Sequence, residues 1–108
     1  MPRMTGNRYF AEAMRGYGVS HLFYVNSIVG NAMKEMDGVG VKRVVTHGEK
    51  AAAYMADAYA RASKRPGLCL AQDIGSTNLL AGLRDPHMAS SPVSAIHRGP
   101  SDHPRYRP

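Results

Sequence analysis

The sequence predicts an α/β fold, an open parallel sheet with flanking helices, on three observations. Short apolar runs rich in β-branched and aromatic residues alternate with longer stretches of helical periodicity. The two kinds of segment are joined by brief turns built from Gly, Pro, Asn and Asp. The order is strand, helix, strand throughout, which favours parallel pairing through crossover helices.

Each element follows from its residues. Thr5 can cap a first helix running to about Tyr17, with Phe10, Met14 and Tyr17 on one stripe. Gly16 and Gly18 end that helix. Residues 21–25, His-Leu-Phe-Tyr-Val, read as a buried strand. Asn26 and Ser27 supply polar caps for a second helix over 28–36, whose apolar side is Ile28, Val29, Ala32, Met33 and Met36. Asp37-Gly38 stops it, and 41–45 is the second strand. A helix from Glu49 to about Ser63 follows, carrying alanines at 51, 52, 53, 56, 58, 60 and 62. Alanine favours helix and leaves little bulk, so another backbone can come close. Residues 64–67 form a turn, 68–71 a third strand, and 72–78 a strand-to-helix loop. The next helix starts near Thr77 and is expected to kink or divide at Pro86. Residues 93–96 read as a fourth strand. From Arg98 on, prolines at 100, 104 and 108 and the loss of periodicity suggest an exposed tail or a truncated element.

Composition narrows the function classes. With 108 residues, 44% apolar and 20% charged, the chain suits one globular domain. No apolar run approaches the roughly 18 residues of a membrane-spanning helix. Arg8, Glu12 and Arg15 interrupt the N-terminal segment, which therefore lacks a secretory signal's apolar core. Cys69 is the only cysteine, so no internal disulfide forms and a cytoplasmic location is expected. A net charge of +6 raises the question of nucleic acid. The basic residues are scattered, however, with Lys42-Arg43 and Lys64-Arg65 the only adjacent pairs. The expectation is a solvated surface, with neither nucleic acid nor membrane as partner; a small basic nucleic-acid binder is the lesser alternative.

The stretch most loaded with chemistry is 46–61, Thr-His-Gly-Glu-Lys-Ala-Ala-Ala-Tyr-Met-Ala-Asp-Ala-Tyr-Ala-Arg. It sets Glu49 where a strand turns into a helix, at the carboxyl edge of the sheet, where open α/β folds bind ligands. Two readings of Glu49 stand side by side. It can serve chemistry in a cleft, or Thr46 and Glu49 can form a capping box, with the Thr46 hydroxyl on the Glu49 N–H. His21, His47, His87, His97 and His103 show no zinc-type spacing, so no metal site is expected; His47 stands out only as a neighbour of Glu49. Neither a Gly-x-Ser-x-Gly elbow nor a Walker-type phosphate loop is present.

Three motifs in order carry a resemblance. Gly48-Glu49, Ala52-Ala53 and Ala56-Asp57-Ala58-Tyr59-Ala60-Arg61 come first. Asp73-Ile74-Gly75-Ser76-Thr77-Asn78 follows, then Ser91-Pro92-Val93 with Ala95-Ile96. In this register the chain resembles the N-terminal, pyrimidine-binding (Pyr) domain of thiamine diphosphate-dependent enzymes, in the acetolactate synthase-like branch. The resemblance implies that Glu49 hydrogen-bonds the aminopyrimidine ring of thiamine diphosphate and activates it through a shared proton. It implies that Asn78 contacts the pyrimidine region and that Gly75 lets the backbone approach. It further implies a 2-oxo acid decarboxylase or carboligase, with the site completed by a homodimer or by a separate diphosphate-binding domain or chain. Magnesium is expected only through that other domain, whose Gly-Asp-Gly…Asn-Asn motif is missing here.

The chain also departs from the family pattern. Asn26-Ser27-Ile28 stands where the family has a Pro-Gly-Gly-type turn, and Asp73-Ile74 stands for Gly-Pro. On this reading 1–97 is a partial Pyr-type domain and 98–108 the tail. An inert fragment or partner-binding module that needs a separate diphosphate-binding chain is the alternative.

Overall fold

A computed structural model describes residues 3–25 and 30–97. The order is α1 (Gly6–Gly16), β1 (His21–Tyr24), α2 (Gly30–Gly38), β2 (Lys42–Val45), α3 (Glu49–Ser63), β3 (Gly67–Ala71), α4 (Gly75–Met88) and β4 (Val93–His97). The strands form one parallel sheet in the order β2-β1-β3-β4. The expected α/β class with a parallel sheet and flanking helices is therefore the observed one. Asn26 and Ser27, expected as caps, and Ile28 and Val29, expected on the apolar side of α2, lie outside the described residues, as does the tail 98–108.

Strand alternation divides the core into two clusters. Leu22, Leu68 and Leu70 pack with Ala11 of α1 and with Met33 and Met36 of α2. The intervening residues Phe23, Cys69 and Ala71 pack with Ala52, Ala53 and Ala56 of α3 and Leu79 of α4. Successive strand side chains point to opposite faces, so the clusters occupy the two sides of the sheet. β3 is buried along its whole length, as a central parallel strand should be.

Small residues set how closely α3 sits. A Cβ built on Gly67 would fall 2.7 Å from the carbonyl carbon of Ala56. One built on Gly82 would fall 2.7 Å from both the Ala53 Cβ and the Lys50 carbonyl oxygen. The alanine-rich helix is thus wedged between β3 and α4 at distances that side chains would forbid. Lys64 ends it in the left-handed conformation (φ 59°), its N–H donating to the Ala60 carbonyl at 3.0 Å.

Two expectations need correction. Pro86 does not divide α4, which runs unbroken to Met88. It lies in the last turn, where only one intrahelical bond is lost, and the carbonyl its ring abuts belongs to Gly82. Tyr17 does not join the buried stripe of α1; it is the C-cap and stands 76% exposed, while Phe10 and Met14 pack on the core.

Candidate functional site

Two strand-to-helix turns meet at the carboxyl edge of the sheet. The first leaves β2 through Thr46, His47 and Gly48. The buried Thr46 is fixed twice: its N–H donates to the Tyr24 carbonyl at 2.7 Å and its hydroxyl donates to the Gly48 carbonyl at 2.9 Å. That same Gly48 carbonyl accepts the first helical bond of α3, from the Ala52 N–H at 3.0 Å. Gly48 is the N-cap, in extended conformation and without a side-chain capping bond. The capping box is not made: the Thr46 hydroxyl donates to the Gly48 carbonyl, and no hydrogen bond runs from the Glu49 N–H to it. Sequence reasoning missed Thr46 as the residue that ties this turn. A buried threonine after a strand, two residues before a glycine, was the available signal.

Freed from that role, the Glu49 side chain crosses to α4. Asn78 Nδ2 donates to Glu49 Oε2 at 3.4 Å. A Cβ on Gly75 would lie 2.5 Å from Glu49 Oε1 and 3.0 Å from its Cγ and Cδ. Gly75 thus leaves a notch that the carboxyl occupies. All three residues singled out from the sequence, Glu49, Gly75 and Asn78, come together in one place. His47 is exposed beside them, and among the described residues no side-chain hydrogen bond joins it to Glu49.

The electrostatics of this edge are those of two helix starts. Neither α3 nor α4 has a side-chain cap, so first-turn N–H groups and the positive ends of both dipoles lie near the Glu49 carboxylate. Ser76 instead turns its hydroxyl back to the Asp73 carbonyl at 2.6 Å, tightening the loop before α4. Ile74, the residue before Gly75, is 87% exposed, an apolar side chain left at the rim of the notch.

Ionised groups elsewhere serve the scaffold. Asp57, buried on α3, receives two bonds from Arg61, at 2.8 and 3.0 Å. The Arg61 guanidinium holds the Asp57 carboxyl below its ordinary range against the opposing effect of burial. Burial pushes the Cys69 thiol up to about 12, which keeps it protonated. Among the described residues no three His, Cys, Asp or Glu side chains gather to hold a metal ion. No described helix is long and apolar enough to cross a membrane.

Residues 4–104 match the family model of the thiamine pyrophosphate enzyme N-terminal TPP binding domain. The chain belongs to this family. Among curated relatives of this TPP-enzyme domain it is 34% identical over 100 residues to an acetolactate synthase of Arthrospira platensis, covering 87% of this chain and 17% of that one. It is 35% identical over 95 residues to the acetolactate synthase isozyme 2 large subunit of Escherichia coli K12, covering 86% and 17%. A sulfoacetaldehyde acetyltransferase of Alcaligenes xylosoxydans is 34% identical over 96 residues, covering 87% and 16%. The TPP-enzyme domain described here is thus related to acetolactate synthase-like enzymes and spans only a small part of their length.

Proposed function

We propose that this chain provides the pyrimidine side of a thiamine diphosphate site, with Glu49 as the residue that activates the cofactor, in a 2-oxo acid decarboxylase or carboligase of the acetolactate synthase type. The observation that carries the reading is the direction of the Glu49 carboxyl. It reaches across to α4 into the Gly75 notch, 3.4 Å from Asn78 Nδ2.

The residues present fit the aminopyrimidine end of the cofactor. A carboxyl oxygen can hold a proton against a ring nitrogen, and the Asn78 amide beside it offers both donor and acceptor. The missing Cβ at Gly75 lets the Glu49 carboxyl lie against α4, beside the Asn78 amide. Bound thiamine diphosphate supplies carbanion chemistry toward 2-oxo acids. Glu49 contributes one aimed proton, and the rigid start of α3, tied by Thr46, keeps that proton in place. On this reading the chain contributes the organic end of the site.

Such a half-site needs a second chain or domain for the diphosphate and magnesium. The outer side of α3 suits that contact: Ala51, Ala58 and Ala62 are exposed there with Tyr54 and Met55, which are 43% and 44% exposed. Calorimetric titration with thiamine diphosphate and magnesium tests the reading, with and without a chain bearing the diphosphate-binding half. Binding in the mixture that is lost in Glu49→Gln supports it. Equal binding by wild type and Glu49→Gln rejects it.

A further inference from the structure

Both ends of α3 are tied to one strand. At its start, Thr46 donates its hydroxyl to the Gly48 carbonyl and its N–H to the Tyr24 carbonyl of β1, at 2.9 and 2.7 Å. Toward its end, Tyr59 reaches the opposite end of β1. The Tyr59 and Ser20 hydroxyls share a hydrogen bond, and Ser20 Oγ lies 2.8 Å from His21 Nδ1. The Tyr59 ring tilts against His21 at 4.8 Å between centroids and against Phe23 at 6.0 Å. Ser20, His21 and Tyr59 are all half-buried. A hydroxyl carries one proton and two lone pairs, so Ser20 accepts from one neighbour while donating to the other. The chain of bonds is complete in either direction: from Tyr59 through Ser20 to a bare Nδ1, or from a protonated Nδ1 through Ser20 to Tyr59.

We propose that Tyr59, Ser20 and His21 are positioning residues that set where α3 stands along β1, and with it where Glu49 aims. Between the two ties α3 packs through Ala52, Ala53 and Ala56, close against Gly67 and Gly82. Such small residues let backbones approach but raise few ridges to resist sliding along the helix axis. The ties supply that resistance. From Glu49 to Tyr59 the helix rises about 15 Å. From Ser20 to Tyr24 the strand spans about 13 Å. Helix and strand are thus pinned together over nearly equal lengths, one pin at each edge of the sheet. Without the Tyr59 pin, only the Thr46 turn resists a shift of α3 along its axis.

The notch is sensitive to such a shift. Glu49 Oε2 meets Asn78 Nδ2 at 3.4 Å, already long for a hydrogen bond, so a displacement of a few tenths of an ångström opens it. α4, which carries Asn78, is anchored on its own through the buried Leu79 in the same core cluster. The sheet is therefore the common frame for both helices, and the α3 side of that frame is fixed at Ser20 and Tyr24. For chemistry this matters through Glu49 alone, and so rests on the role of Glu49 toward thiamine diphosphate.

The side-chain amide resonance of Asn78 in the isotope-labelled chain tests it, because that signal reports the Glu49 contact without any cofactor. Glu49→Ala marks its position when the contact is gone. Tyr59→Phe keeps the ring and removes the hydroxyl; it and Ser20→Ala are expected to move the signal toward that mark. Ser20→Thr keeps the hydroxyl and should leave the signal in place. Val41→Ala opens the core on the other side of the sheet and should lower stability without moving the signal. With a diphosphate-binding chain and magnesium present, affinity for thiamine diphosphate should fall about fivefold in Tyr59→Phe. Two results overturn the proposal: an Asn78 signal that stays at its wild-type position in both Tyr59→Phe and Ser20→Ala, or one that Val41→Ala moves as far. A signal that responds as expected, while Glu49→Gln leaves the affinity unchanged, keeps the two pins and rejects the cofactor reading instead.

Discussion

The carboxyl of Glu49 rests against the bare Cα of Gly75, so close that a methyl group there would come 2.5 Å from Oε1. Glycine at 75 is thus a condition for where the acid of α3 points. Two residues from different helices define one notch, and the candidate site depends on their fit.

Gly75→Ala should separate binding from stability. The atom displaced is the far end of a flexible side chain, so Glu49 can swing aside at a cost within about 1 kcal/mol. Its aim is lost all the same. Affinity for thiamine diphosphate, measured in the presence of a diphosphate-binding chain, should fall about tenfold or more with little change in the urea midpoint. A large drop in stability with affinity preserved would contradict this account.

Gly67→Ala should do the reverse. Here the new methyl would meet backbone, 2.7 Å from the Ala56 carbonyl carbon, and neither β3 nor α3 can yield without opening the core. A loss of about 2 kcal/mol or more is expected in urea unfolding. Wild-type stability in this variant would show that α3 sits farther from the sheet than described.

The ion pair on α3 predicts an acid limb. Because Arg61 holds the Asp57 carboxyl below its ordinary range, the pair adds stability that is present above the unfolded-state value. That contribution is lost as pH falls through the lower, folded value. Arg61→Gln should therefore be less stable than wild type near neutral pH, and the two should converge below about pH 4. Urea unfolding at a series of pH values measures the gap. A gap that does not change with pH would mean that Arg61 acts through packing alone.

Cys69 is expected to be inert in the folded chain. It is fully buried in β3 and its thiol is pushed up to about 12, so almost no thiolate forms at neutral pH. Alkylation by iodoacetamide should be slow in buffer and fast in denaturant. Equal rates would show that β3 is not the centre of a closed core.

Much of this was legible in the chain, and the exceptions have physical reasons. The strand-helix alternation and the Glu49, Gly75 and Asn78 motifs stand at the expected edge because periodicity and glycine position are local signals. The capping box stood as one of two readings of Thr46 and Glu49, because a hydroxyl can donate as well as accept, and only the fold shows the Gly48 carbonyl within reach of Thr46. Pro86 was expected to break α4; its position in the final turn, over Gly82, makes it tolerable. The close approach of Gly67 to Ala56 joins residues from different elements and no local pattern encodes it.

The most direct test is to follow backbone amide chemical shifts of the chain, mixed with a diphosphate-binding partner and magnesium, as thiamine diphosphate is added. The account predicts the largest changes at Gly48, Glu49, Gly75 and Asn78, and their disappearance in Glu49→Gln. Changes centred elsewhere, or the same pattern in Glu49→Gln, would contradict it.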